Sequence, residues 1–198
     1  MKYGNVTIGQ VEAIINKLGG EDGMKRFLSG ELVVKEIERK FKIWKIIELG
    51  TGLKTADDFR KSLKDNGFKV SDWANDILGK PAFTAATETT EVDLVRVTVA
   101  ELGFEKGARR DQIYDRAKEF GLELCPPEVG PQLRLQYKDQ PNGEWVLIGM
   151  DPITDSDGDL SVFGVRRDDS GLWLDSDWGS PAYVWHPDDR WVFRLPRK

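Results

Sequence analysis

Hydrophobic positions in the first 30 residues repeat at the spacing of an amphipathic helix. The apolar residues that form this stripe are Ile8, Val11, Ile14, Ile15 and Leu18. Thr7 and Gln10 fit a capping box ahead of the stripe, and the glycines at 19–20 are a natural end. A second short helix is predicted over 21–28, so the chain is expected to begin with a helical hairpin.

The pattern over residues 32–49 fits two structures. Ile37, Phe41, Ile43 and Ile47 share odd parity, which is typical of a strand, whereas Ile37, Phe41 and Trp44 also suit a helix. The high content of β-branched residues favours the strand.

Two further helices are predicted after this segment. Thr55 is a capping residue followed by acids, and the helix that it opens ends near 66–67. Ser71 caps the next helix, in which Trp73 belongs to the apolar side, and Gly79 ends it.

Residues 85–90 are small, polar and without a periodic pattern, as is typical of a linker. We therefore predict a boundary near residue 88. It separates a mainly helical α+β region at 1–88 from a second domain at 89–198.

The second half alternates between strand and turn signals. Its predicted elements are a strand at 95–99, a helix at 109–120, a strand at 132–137, strands at 145–148 and 160–165 around a turn at 155–159, and strands at 172–174 and 190–194 around a loop at 175–189. The predicted class is α+β, with a helical N-terminal half and short antiparallel strands in the C-terminal half.

Charge and composition differ between the halves. The 198-residue chain has a net charge of −5, but residues 1–90 carry +2 and the rest −7. The last 48 residues contain ten Asp and no Glu, and five of the seven Trp lie from Trp145 onward. Because Asp suits turns and Glu suits helices, this composition predicts a turn-rich sheet with many aromatic residues.

Several classes of protein are excluded or disfavoured by the same composition. No apolar run is long enough to span a membrane, and the N-terminus lacks a signal-peptide pattern, so we expect a cytoplasmic protein. Cys125 and His186 are the only residues of their types, which excludes an internal disulfide and disfavours cysteine or histidine metal sites. We expect no cofactor.

A catalytic pair of Cys125 and His186 has little support, because the two residues are 61 positions apart and no motif accompanies them. We therefore expect no catalytic site.

The segment at 175–190 is the main candidate for function. Rigid aromatic residues among short polar ones are typical of recognition loops and of interface hot spots. The candidate ligand-binding residues are Asp175, Ser176, Asp177, Trp178, Tyr183, Trp185, His186, Asp188 and Arg190. The alternative is that these aromatic residues fill the core. Trp173 and Trp191 are expected in the core, and two of Trp178, Tyr183 and Trp185 at the surface.

The aspartates at 155, 157 and 159 allow two interpretations. An EF-hand loop that begins at Asp155 would need Gly and Glu where the chain has Leu160 and Arg166. Gly158 between two aspartates is typical of a hairpin turn. We favour the turn over a calcium site of another type, and we assign no metal ligands.

A different function is conceivable for residues 35–78. Their basic run and two helices allow a nucleic-acid-binding regulator built on a helix-turn-helix. The basic residues are interspersed with Glu36 and Glu38, and the pI near 5.1 argues against nucleic acid as the partner. This function is kept as the alternative.

Three short motifs carry a family resemblance. They are Ile113 through Gly121 to Pro126, Gly171-Leu-Trp173 through Trp178, and Pro187-Asp-Asp-Arg190 with Phe193-Arg-Leu195. Residues 91–198 thereby resemble the C-type-lectin-like domains of formylglycine-generating type found in the variable target proteins of bacterial diversity-generating retroelements. The whole chain also resembles bacterial proteins that share the N-terminal half and differ most near the C-terminus.

The resemblance implies a non-catalytic ligand-binding domain. On such scaffolds, mutagenesis at adenines changes selected codons, and the variable segment here would be 175–190. The expected partner is a protein or another macromolecule, not a membrane. The calcium and sugar motifs Glu-Pro-Asn and Trp-Asn-Asp are missing, which argues against calcium-dependent sugar binding. No pattern in the sequence specifies an oligomeric state.

Overall fold

A computed structural model of the chain describes residues 7–33 and 41–197. The chain divides into two compact units, residues 1–39 and residues 40–198. Within the described ranges, no helix combines the length and the apolar character that crossing a membrane requires.

The first unit contains the predicted pair of helices, α1 (Ile8–Lys17) and α2 (Gly20–Leu28). Thr7 and Gln10 form the predicted capping box: the Gln10 N–H donates to Thr7 Oγ1 at 3.3 Å, and the Thr7 N–H donates to Gln10 Oε1 at 2.9 Å. Gly19 has a φ of +96°, which lets the chain turn between the helices. The hairpin is confirmed, although no side chain of α1 is buried.

The second unit combines a mixed sheet with four helices. Its helices are α3 (Ala56–Asp65), α4 (Asp72–Leu78), α5 (Arg110–Glu119) and α6 (Val129–Gln136). Its strands are β1 (Lys45–Leu49), β2 (Lys69–Val70), β3 (Thr90–Thr98), β4 (Ala108–Arg109), β5 (Trp145–Ile148), β6 (Ile153–Thr154), β7 (Leu160–Asp168), β8 (Gly171–Trp178), β9 (Val184–Trp185) and β10 (Arg190–Leu195). The described residues therefore agree with the predicted α+β class.

The main sheet has the strand order β1-β3-β10-β5-β7-β8-β2, with β6 added to β7. The last strand, β10, lies in the middle, antiparallel to β3 and parallel to β5. The short strands β4 and β9 pair antiparallel in a separate ribbon.

Most side chains on both faces of the middle strands are buried. Leu147 pairs with Gly164 on one side and with Trp191 on the other, so Trp191 lies on the face opposite Phe163. Tyr114 of α5 packs edge-on against Trp191, with 5.6 Å between ring centroids. On the other face, α6 approaches so closely that a Cβ on Gly130 would lie 2.6 Å from the Cβ of Phe163.

The buried carboxylate of Glu128 links residues 41–88 to the rest of the second unit. One oxygen accepts the N–H of Gly50 at 2.9 Å and the Gln132 amide at 3.0 Å, and the other accepts the N–H of Ala86 at 2.7 Å. Gly50 has a φ of +65°, and a Cβ there would lie 2.1 Å from the carbonyl oxygen of Glu88. The predicted boundary near residue 88 lies inside this unit, between α4 and β3.

The predicted strand at 132–137 is wrong, because the chain forms α6 there. The buried residues of α6 include five consecutive positions from Gly130 to Arg134. A helix that is buried on all sides has no polar stripe, and its apolar residues can then imitate the alternation of a strand.

We predict that Glu128→Ala destabilises the second unit by about 3 kcal/mol, because the backbone N–H groups of Gly50 and Ala86 lose their acceptor, whereas Gln132 keeps its bond to Thr51. Urea denaturation measures the loss. Glu128→Gln, which keeps one acceptor oxygen, should fall between Glu128→Ala and the unchanged chain. Glu105→Ala, at an exposed position, is the control and should change the free energy of unfolding little. Equal stability of Glu128→Ala and Glu105→Ala would contradict the linking role of Glu128.

Candidate functional site

The final residues of β8 lie along the open edge of the sheet. The neighbouring strand β2 pairs only with Trp173 and Leu174, so the segment from Asp175 to Trp178 has a partner strand on the β7 side alone. This part of the predicted loop is therefore a strand. Because side chains alternate along a strand, Asp175 and Asp177 lie on the face opposite Ser176 and Trp178.

Two aspartates on this edge bind the backbone next to them. The Leu174 carbonyl accepts the N–H of Ser71 across the β2 side, so the even-numbered residues of β8 direct their backbone groups to the open edge. Asp175 Oδ1 accepts the N–H of Ser176 at 2.9 Å, and Asp177 Oδ1 accepts the N–H of Trp178 at 2.7 Å. The free edge is thus capped by short carboxylates.

Asp175 also forms an ion pair with Arg166. Its second oxygen accepts from Nε of Arg166, which also pairs with Asp168. The Arg166 guanidinium lies 4.7 Å from the ring centroid of Trp173 and 5.7 Å from that of Trp145. Trp173 is therefore half-buried under charged side chains, and its predicted place in the core is wrong.

A cleft lies on the Asp177 face of the sheet, with a volume of about 360 Å³. We call it the His186 cleft. Its lining residues are Trp145, Leu147, Asp177, Tyr183, Val184, Trp185, His186, Asp189 and Arg190.

A chain of edge-to-face aromatic contacts leads from the His186 cleft into the core. Tyr183 contacts Trp185 with 4.9 Å between centroids, and Trp185 contacts the buried Trp191 at 5.0 Å. Trp185 is 5% exposed, whereas Tyr183 is 43% and Trp178 is 48% exposed. The expectation that two of these three rings are at the surface is confirmed, and Trp185 is the packed one.

His186 lies at an exposed turn that a carboxylate holds. Asp189 Oδ2 accepts the His186 N–H at 2.6 Å, and the imidazole Nδ1 is 3.6 Å from the Asp188 carboxylate. Asp188 is almost fully exposed and lines neither cleft of this region.

A second cleft, of about 310 Å³, lies on the opposite face of the same edge. We call it the Trp73–Trp178 cleft. It is lined by two indoles, two serines and four carboxylates: Trp73, Asp155, Asp157, Asp159, Ser161, Ser176, Asp177 and Trp178. Trp73 is 47% exposed, and it comes from the first turn of α4.

Asp155 of this cleft is satisfied by hydrogen bonds from the turn that follows β6 and from β7. Asp155 Oδ1 accepts the N–H groups of Asp157 and Asp159, and Oδ2 accepts the Ser161 hydroxyl. These bonds confirm the predicted turn between β6 and β7. In the described ranges, no group of three or more His, Cys, Asp or Glu side chains could hold a metal ion.

Asp177 lines both clefts. Partial burial removes water from its carboxylate and raises its pKa, and the nearby charges of Asp175 and Asp189 raise the pKa further. The bond from the Trp178 N–H opposes this shift.

Seven of the nine predicted site residues are thus distributed over two clefts. The His186 cleft brings together Asp177, Tyr183, Trp185, His186 and Arg190, while the Trp73–Trp178 cleft brings together Ser176, Asp177 and Trp178. Asp175 and Asp188 line neither. The sequence-based prediction missed Trp73 and Trp145, because it assigned the first to an apolar helix face and the second only to a strand.

Two other functions considered from the sequence are thiol catalysis and nucleic-acid binding. The Cys125 thiol is buried, which raises its pKa to about 12, so it is protonated at neutral pH. In the region proposed for nucleic acid, Arg60 and Lys61 form ion pairs with Asp57 and Asp65. Nucleic-acid binding by residues 35–78 stays a prediction, and residues 35–40 lie outside the described ranges.

No family model, no curated protein and no solved structure matches the chain.

We predict that Asp177→Asn stabilises the protein at pH 7 and that this gain shrinks as the pH falls. A raised pKa means that the folded state binds the Asp177 proton more tightly than the unfolded state. The stability contributed by that proton is lost as the pH rises through the folded pKa. Asparagine removes this loss and keeps an oxygen for the Trp178 N–H, so Tm at pH 7 should rise by about 2 °C.

The measurement is the difference in Tm between variant and unchanged chain, from pH 4 to pH 8. Asp115→Asn is the control, because Asp115 is an exposed carboxylate on α5, and its difference should stay small throughout. A gain from Asp177→Asn that does not change with pH would contradict desolvation as the cause.

Proposed function

We propose that this protein is a non-catalytic ligand-binding protein, and that its binding surface consists of the exposed side chains along the end of β8 and the following segment to Arg190. The scaffold that we propose is a C-type-lectin-like domain formed by residues 89–198. We further propose that the exposed positions are diversified as in the target proteins of diversity-generating retroelements. The ligand is a protein or another macromolecule.

The observation that carries the proposal is the contrast between exposed and buried aromatic rings over a short segment. Tyr183 and Trp178 are half-exposed, while Trp185 and Trp191 are buried and contact each other edge-to-face. Large exposed aromatic side chains on a rigid base provide contact area at a low cost in conformational entropy. A ring that served packing alone would be buried as Trp185 is.

The order of elements supports the lectin-like scaffold. Apart from the short strand β4 before α5 and the helix α6 after the proline-containing segment, the order is the strand β3, the helix α5, the segment 125–128, several short strands and the closing strand β10. This is the order on which the family resemblance rests. The first and last strands of 89–198, β3 and β10, pair antiparallel over six residue pairs. Such pairing brings the two ends of 89–198 together in the sheet.

We predict that the proposed surface tolerates replacement and that its base does not. Trp178→Ala combined with Tyr183→Ala should lower the free energy of unfolding by about 1 kcal/mol or less, because both rings already face water. Trp185→Ala should lower it by about 3–5 kcal/mol, because it removes a buried ring that contacts Trp191.

Thermal and urea denaturation of the full chain measure both changes. Comparable losses from the surface pair and from Trp185→Ala would assign the exposed rings to structure and would count against the proposal.

We also predict where relatives of this chain differ. Positions 178, 183, 186 and 188 should vary between close relatives, whereas the buried Trp185 and Trp191 should remain constant. Sequencing of relatives, together with a search for a nearby reverse transcriptase gene and an imperfect copy of the 3′ coding segment, tests this. Differences spread evenly along the chain, without those genes, would reject diversification.

A further inference from the structure

We propose that the Trp73–Trp178 cleft binds the guanidinium group of an arginine side chain of a partner polypeptide. This inference rests on the proposed function, and it adds the chemistry of one part of the ligand. It assigns a binding role to Trp73 and to the turn after β6, which lie outside the ligand-binding segment that the sequence predicted at 175–190.

The first support is the pair of indoles. Trp73 comes from α4 and Trp178 from the end of β8, and each keeps close to half of its surface in solvent while lining the same cleft. An indole face attracts a cation through its ring quadrupole, and a planar guanidinium can also stack on it. Elsewhere in this protein Trp residues are used in this way: Arg166 lies 4.7 Å from Trp173, and Arg96 lies 4.8 Å from Trp44.

The second support is charge complementarity. None of the residues that line the cleft is basic. Asp157 and Asp159 are exposed, and within the described ranges no ion pair involves them. Asp177 lies between the two clefts in a partly desolvated position. A cation that enters from solvent would meet carboxylates and aromatic faces together.

The third support concerns the kind of cation. A carboxylate accepts two parallel N–H bonds from guanidinium, which a compact ammonium cannot provide. The volume of about 310 Å³ suits a side chain better than a whole peptide, and the His186 cleft across the same strand offers further surface for the rest of a polypeptide. We therefore assign the cation to arginine within a chain.

The test follows the indole N–H signals of the full chain by two-dimensional NMR, with Trp73→Phe and Trp178→Phe used to assign them. N-acetyl-arginine amide should shift the Trp73 and Trp178 signals with a Kd of about 1–10 mM. N-acetyl-citrulline amide has the same shape without the charge and should cause no saturable shift. A blocked peptide with one arginine between glycines should bind at least as tightly as the free amide.

Charge variants make the test specific. Asp157→Asn combined with Asp159→Asn should weaken binding of N-acetyl-arginine amide by about fivefold or more, because two carboxylates beside the guanidinium lose their charge. Asp115→Asn combined with Asp139→Asn makes the same change of net charge outside the cleft and should leave the Kd within about twofold. Their Tm values identify any loss that comes from unfolding.

Three results would overturn the inference. Equal shifts from the citrulline compound would show that the cleft does not recognise charge. Loss of binding in the Asp115 and Asp139 control would show a diffuse electrostatic effect. Calcium ions that reproduce the shifts would assign the carboxylates to a metal. Each result leaves the proposed binding surface intact, because that proposal depends on the tolerance and variation of positions 178–188 and not on this titration.

Discussion

The second unit depends on one buried carboxylate. Glu128 lies just before α6 and gathers donors from the loop after β1, from the loop before β3 and from its own helix. A carboxylate removed from water is stable only if hydrogen bonds replace its hydration. These three donors replace it, and in doing so they fix residues 41–88 against a helix from the second half. For this reason, a chain whose charge pattern divides near residue 88 folds there as one unit.

That unit gives the two clefts their positions. The helix α6 packs on one face of the sheet and α5 on the other, so most side chains of the middle strands are buried. Free surface remains at the end of β8, where β2 stops after two residues. Exposed indoles and carboxylates collect at this place. Rigid strands hold them, which is the arrangement expected of residues that act on a ligand and contribute little to the core.

The parts of the structure that sequence predicted well are local. Thr7, Thr55 and Ser71 cap the helices that they were expected to cap, since capping is decided within four residues. The excess of Asp in the tail has a local cause as well: Asp155, Asp175 and Asp177 reach backbone N–H groups one to four residues away. Long-range pairing decides the rest. The open edge at Asp175–Trp178 follows from the length of β2, about 100 residues earlier, which no local pattern contains.

The capped edge of β8 limits which amino-acid replacements the strand can accept. An uncapped strand edge offers its N–H groups to a strand of another molecule, which is a common start of aggregation. The carboxylates of Asp175 and Asp177 occupy those groups, so both residues act as gatekeepers against such pairing. Replacements at 175 and 177 are safe only with another short acceptor, such as asparagine or serine. Positions 176 and 178 face no such restriction. The edge would thus accept new side chains at 176 and 178 but not at 175 and 177. The need to prevent edge-to-edge aggregation would impose this alternation.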